Sequence, residues 1–145
     1  MRINSIEMIN WKCFDHKKVD FENGLTMFNW KNGEGKTSLI EAIVLCLFDK
    51  RPDNLDFASL VNIEKPSKIT LYFTHNASTY TVEREVGKTS GYRVFKNESL
   101  IGRTNKECKE ILNKIIPDSV ITSLWGYESL SLSQVLLDLQ IIRVP

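Results

Sequence analysis

Cysteine is scarce in this chain. It occurs at Cys13, Cys46 and Cys108, an odd number without the close pairs that hold zinc, which excludes a fully paired disulfide framework and a structural metal site. The only histidines, His16 and His75, are isolated from each other, so metal binding by them is not expected. No run of about 18 apolar residues is present. The start of the chain also lacks the basic and apolar segments of a secretory signal. These absences point to a cytoplasmic protein with reduced core thiols and no membrane partner. Neither sign of charge dominates: 19 Lys and Arg stand against 18 Asp and Glu, a net charge of +1. Composition therefore gives no field that would attract or repel nucleic acid. Internal repeats and low-complexity segments are absent as well.

What remains is a chain of 145 residues, 42% hydrophobic and 26% charged, enough for one globular domain with a real core. It is organised around Asn29-Trp30-Lys31-Asn32-Gly33-Glu34-Gly35-Lys36-Thr37-Ser38. The apolar run Leu25 to Phe28 before it reads as a short buried strand. The run Leu39 to Phe48 after it is too long and too uniformly apolar for a strand and reads as a buried helix. A strand, a Gly-rich loop with Gly-Lys-Thr and a helix make the phosphate-cradling P-loop arrangement. Gly33 and Gly35 let backbone N–H groups close on a phosphate without a Cβ in the way. A helix starting near Lys36 adds unpaired N–H groups and the positive end of its dipole. Lys36 can place its ammonium on the terminal phosphates, and the Thr37 hydroxyl can bind Mg²⁺. The pattern is not complete. Its first glycine would fall at Trp30, where a bulky side chain disfavours the left-handed backbone the turn needs.

The flanking segments are equally legible. Arg2 to Ile9 and Lys17 to Phe21 read as strands joined by a turn over Cys13 to His16. Asn10 to Phe14 lies between them, with Trp11 and Phe14 in the core and Lys12 in solvent. Beyond the helix, residues 49–62 are polar and irregular. Ile69, Leu71 and Phe73 then alternate with polar residues, His75-Asn76-Ala77 turns, and Tyr80, Val82 and Arg84 alternate back. A second hairpin runs from Tyr92-Arg93-Val94-Phe95 through Lys96 to Ser99 into Leu100-Ile101. Thr104-Asn105-Lys106-Glu107 is a capping box opening a helix whose stripe is Cys108, Ile111, Leu112 and Ile115, stopped at Pro117. Hairpins directly after a P-loop helix do not belong to a plain doubly wound sheet. They predict an α+β lobe with α/β character, in which a mixed sheet wraps the P-loop helix and a separate antiparallel sheet holds the hairpins.

In that order the elements resemble the N-terminal lobe of an SMC-like ABC ATPase head, most closely the large subunit of SbcCD-type recombination and break-repair nucleases. Ile6 to Phe14 resembles the family's opening (L/I)xxxNFRSF. Asn32 to Ile43 resembles NGxGKSSLLEAI, and Ala58 to Asn62 followed by Ile69 to Arg84 is similar to the family's hairpin. Arg103 through the capped helix to Ile116-Pro117 matches the element before its Q-loop. The match spans roughly residues 1–128, and residues 129–145 read as an apolar helical tail, the start of a cut-short coiled coil.

The resemblance implies ATP and Mg²⁺ held by Asn32, Gly33, Glu34, Gly35, Lys36, Thr37 and Ser38, with Thr37 on the metal and Lys36 in the catalytic role. Lys12 matches a basic residue that reaches the nucleotide phosphates. Two positions depart from the family: Trp30, and the Q-loop glutamine, which would fall at Glu128-Ser129, the nearest glutamine being Gln134. The signature motif, the Walker B carboxylates and the switch histidine belong to a C-terminal lobe beyond a coiled coil. Leu130 to Gln134 and Val135 to Asp138 match them only superficially. The implied partners are that C-terminal lobe, a second head in a homodimer, a nuclease subunit and DNA. The scattered basic residues Lys50, Arg51, Lys65, Lys68, Lys88, Arg93 and Lys96 give DNA contact no independent support. The expected function is the ATP-binding half of a head that couples engagement to DNA break processing or tethering, with negligible turnover alone. The alternative is a naturally short, inactive module that docks onto a full-length head. A P-loop kinase or GTPase fits less well, because of the hairpins and the missing guanine-reading N-K-x-D.

Overall fold

The computed structural model describes residues 2–12, 14–21, 36–49, 66–87 and 90–116. In chain order their elements are β1 (Arg2–Trp11), β2 (Phe14–Asp20), α1 (Lys36–Phe48), β3 (Ser67–His75), β4 (Ser78–Val86), β5 (Gly91–Lys96), β6 (Ser99–Gly102) and α2 (Asn105–Ile115). The described strands form one six-stranded sheet in the order β2-β1-β3-β4-β5-β6, antiparallel at every step. The hairpins β3–β4 and β5–β6 thus lie in an antiparallel sheet, as expected, and β1 and β2 extend it. β3 pairs with β1 along nearly its whole length, from Arg2 opposite Thr74 to Ile9 opposite Lys68. The reason is burial: α1 lies against β1, β3 and β4 together, and a detached hairpin would leave its apolar face wet. The expected strand Leu25 to Phe28, the loop with Trp30, the Q-loop positions and the tail 129–145 lie outside the described residues.

From Leu39 onward α1 is apolar except for Glu41, and Leu39, Ala42, Ile43, Val44, Leu45, Cys46 and Leu47 are each at most 1% exposed. Such a helix has no solvent face and must be the centre of the core. Ile69, Leu71 and Phe73 of β3, with Tyr80, Val82 and Val86 of β4, turn the alternate side of their strands toward it. Phe73 and Tyr80, paired across the strands, stack at 5.0 Å between ring centroids. On the opposite face Arg93 pairs with Glu83 at 2.9 Å and Glu85 at 3.0 Å, and Lys68 stands 3.8 Å from Glu83.

Three hairpins use left-handed residues to make tight turns. Asn76 and Ala77 (φ 49° and 64°) close β3–β4, and Asn97 and Glu98 (φ 48° and 70°) close β5–β6. Two consecutive positive φ values match the right-handed twist of the flanking strands. Asn97 also accepts from Thr79 N at 3.0 Å through its side-chain oxygen, tying its turn to the start of β4. The β1–β2 turn falls earlier than the sequence suggests. Trp11 pairs with Phe14, so the connection is Lys12-Cys13 rather than Cys13 to His16, and His16 lies within β2 opposite Ile9. The left-handed φ of Asn10 (53°) and Lys12 (48°) permits the tighter turn.

α2 follows its sequence signal closely. Thr104 Oγ1 accepts from Glu107 N at 3.2 Å and donates to Glu107 Oε1 at 3.1 Å. Cys108 and Leu112 are fully buried against β5 and β6. The helix ends at Ile116, whose extended backbone (φ −75°, ψ 132°) is what a following proline favours.

Candidate functional site

The site predicted from sequence centres on the start of α1, and the helix does begin at Lys36. Backbone N–H groups of a first helical turn have no partner within the helix, so this end favours an anion. The side chains of Lys36 and Thr37, and all of Asn32, Gly33, Glu34 and Gly35, lie outside the described residues. Ser38 is described and half-buried.

The β1–β2 turn is docked on this end of the helix. Trp11, fully buried, donates from Nε1 to the Ser38 carbonyl at 2.9 Å. Ser67 at the start of β3, itself buried, donates from Oγ to the Asn10 carbonyl. The turn is thereby fixed between the helix and the sheet. Lys12, the next residue, carries its ammonium to the Glu41 carboxylate. Lys12 is thus not a purely solvated lysine: its side chain is 20% exposed, and that of Glu41 is 9% exposed. The sequence reading placed Lys12 near a phosphate and Trp11 in the core. It missed Glu41 and Ser67. A single carboxylate within the otherwise apolar run Leu39 to Phe48 was the available signal, because a charge at that depth requires a cation.

The opposite end of α1 holds a second polar cluster. Asp49, left-handed at φ 54°, ends the helix with its N–H on the Leu45 carbonyl at 3.0 Å. A carboxylate at a helix C-terminus is unfavourable on its own. Arg84 at 2.6 Å and Lys109 at 3.0 Å neutralise it. The Arg84 guanidinium also lies 4.2 Å above the Tyr92 ring, whose hydroxyl donates to the Cys46 carbonyl. Burial pushes the Cys46 thiol up to about 12 and the Cys108 thiol up to about 11. It pushes the Tyr92 phenol upward too. These are protonated core groups with no nucleophilic character at neutral pH.

Of the scattered basic residues, Lys68 and Arg93 sit in the ion pairs of the outer sheet face, and Lys96 stands over the Tyr80 ring at 5.9 Å. Lys50, Arg51, Lys65 and Lys88 lie outside the described residues. Among the described residues no group of acidic, histidine or cysteine side chains is arranged to hold a metal, and no helix is long and apolar enough to cross a membrane.

A family model described as an AAA domain matches residues 5–136. The chain belongs to that family. This AAA domain is 30% identical over 118 residues to the DNA double-strand break repair Rad50 ATPase of Methanocaldococcus jannaschii, covering 77% of the chain and 12% of that relative. Against the Rad50 ATPase of Archaeoglobus fulgidus the identity is 22% over 121 residues, or 83% of the chain and 13% of the relative. The AAA domain thus spans about an eighth of these relatives' length. Among solved structures, one from work on ATP-driven dimerization and DNA-stimulated activation of SMC ATPases superposes with a TM-score of 0.62. It is 17% identical, over 95% of this chain and 99% of that one. The SMC head domain from Thermotoga maritima gives 0.50 at 22% identity, over 79% of this chain and 42% of the other. The fold of this AAA domain is that of the N-terminal lobe of an SMC-like ABC ATPase head.

Proposed function

We propose that the chain is the ATP-binding half of an SMC-like ATPase head that couples nucleotide-driven head engagement to DNA break processing or tethering. The observation that carries this reading is the start of α1 at Lys36 of Gly-Lys-Thr, with the Lys12 turn docked on its first two turns. The residue types that the sequence supplies there suit a triphosphate: N–H groups of a first helical turn, the lysines Lys36 and Lys12, and the Thr37 hydroxyl. In this proposal Asn32, Gly33, Glu34, Gly35, Lys36, Thr37, Ser38 and Lys12 bind ATP. Lys36 neutralises charge on the transferring phosphate as the catalytic residue. Mg²⁺, held by Thr37, would neutralise phosphate charge when bound.

The proposed lobe is residues 1–128, with 129–145 leading toward a coiled coil. In this proposal the carboxylate that polarises the attacking water comes from a C-terminal lobe, and hydrolysis needs that lobe and a second head, the chain forming part of a homodimer. The names of the Rad50 ATPase relatives support a DNA-repair setting. A nuclease subunit and DNA complete the proposed assembly, in the cytoplasm.

Calorimetry with ATP and Mg²⁺ on the wild-type chain and on Lys36→Ala tests this. We expect weak binding that Lys36→Ala abolishes, no measurable turnover by the chain alone, and turnover when a C-terminal lobe is supplied. Equal heats for the two proteins would overturn the nucleotide assignment.

A further inference from the structure

Glu41 is 7% exposed and is the only charged residue between Leu39 and Phe48. Its carboxylate cannot stay ionised at that depth without a cation, and Lys12 provides one. Lys12 is delivered by a turn with little freedom. Its backbone is left-handed, Trp11 is bonded to the Ser38 carbonyl, and Ser67 is bonded to the Asn10 carbonyl. The ammonium therefore rests against the second turn of α1, while the end of the helix that attracts anions is Lys36. Glu41 lies five helical steps beyond Lys36, an axial rise of about 7.5 Å. That is a distance a four-carbon stem can largely cover by changing rotamers, with the turn left in place.

We propose that Glu41 is a positioning residue that holds the Lys12 ammonium back from the start of α1, so that an arriving polyphosphate must draw Lys12 off its partner. The inference rests on the nucleotide reading above. The pair is then a built-in brake on binding. Triphosphate attracts Lys12 more strongly than a single carboxylate does, but each binding event leaves Glu41 buried and unpaired. Removing the carboxylate's charge releases the brake, although it weakens the empty protein, which loses a buried ion pair.

The two effects run in opposite directions, and a purely structural pair would not produce that. Glu41→Gln is expected to melt at a lower temperature than wild type without nucleotide and yet to bind ATP roughly five- to tenfold more tightly. In a Lys12→Met background the same substitution should leave ATP affinity unchanged. If Glu41→Gln binds ATP no better than wild type, or worse, the brake is refuted and the pair is only a staple. If neither wild type nor Glu41→Gln binds ATP, the nucleotide reading falls and takes the brake with it. A second measurement needs no substitution at Glu41. In wild-type protein carrying ¹³Cδ-labelled glutamate, the buried Glu41 resonance should shift when ATP is added and stay fixed when ATP is added to Lys36→Ala. A resonance that does not move in wild type at saturating ATP overturns the proposal.

Discussion

Trp11 does more at the start of α1 than fill the core. Its indole N–H reaches a helical carbonyl of the first turn at 2.9 Å and sets where the β1–β2 turn sits. Trp11→Phe keeps most of the buried area and deletes the donor. The Ser38 carbonyl then loses this extra donor but keeps its helical one, a loss worth about 0.5–1.5 kcal/mol. Urea denaturation should show the midpoint falling with an unchanged slope. A second contrast concerns Asp49. Arg84 is 6% exposed, and two of its nitrogens, Nε and Nη1, have no hydrogen-bond partner among the described residues. Asp49→Ala would strand that buried cation, a change of about 3–5 kcal/mol. Lys109→Ala removes a partner whose side chain is 48% exposed, and should cost less than about 1 kcal/mol. Chemical denaturation of the two variants side by side checks the ordering. At this scale sequence reading finds residues better than pairs. Trp11 and Lys12 stood out, but Glu41 and Ser67 are brought to them by the fold from far along the chain. Glu41 is marked locally only as a lone carboxylate in an apolar run, and nothing local says that Lys12 is its partner.

Elements were more legible. The alternation in β3 and β4, the buried character of α1 and the capping box of α2 follow from periodicity and side-chain chemistry that act over a few residues. Long-range pairing does not. That β3 lies beside β1, across an intervening helix, is decided by which strands α1 can cover. β1 also hides its phase. Ile3 and Ile6 are both buried although an odd spacing should send them to opposite faces, and the register shift between Ile3 and Ser5 resolves this. Two substitutions test how α2 is held. Thr104→Ala removes the cap and should cost about 1 kcal/mol of stability. Gly102→Ala acts from the other side. A methyl on Gly102 would come within 3.0 Å of Ile111 Cδ1 and 3.2 Å of Cys108 Sγ, so both side chains must give by a few tenths of an ångström in a packed interface. Overpacking of this kind costs about 1–3 kcal/mol. Thermal melts should rank both variants below wild type, and Gly102→Ala should lose more.

Across the described residues, both helices and the sheet share one core, and that core contains three groups that must keep their protons. Cys46 and Cys108 have native values near 12 and 11, against 9.0 for a free thiol, and the Tyr92 phenol is raised as well. Dehydration is the main cause in each case, because a thiolate or phenolate inside the core would forfeit its water. Raised acids of this kind add stability that is complete below the unfolded-state value and is lost as pH climbs toward the native one. Below pH 9 native and unfolded chains alike hold these protons, so the thiols leave stability flat. Above it the unfolded chain releases thiol protons that the native chain retains, and unfolding gains about 1.4 kcal/mol per pH unit for each thiol. Melting temperature should therefore fall steeply between pH 9 and 11. In a Cys46→Ala/Cys108→Ala variant the protein starts from lower stability, yet its decline over the same interval should be markedly shallower. Equal slopes for the two proteins would mean that water reaches the thiols, and that the packing of α1 and α2 against the sheet is looser than the geometry indicates.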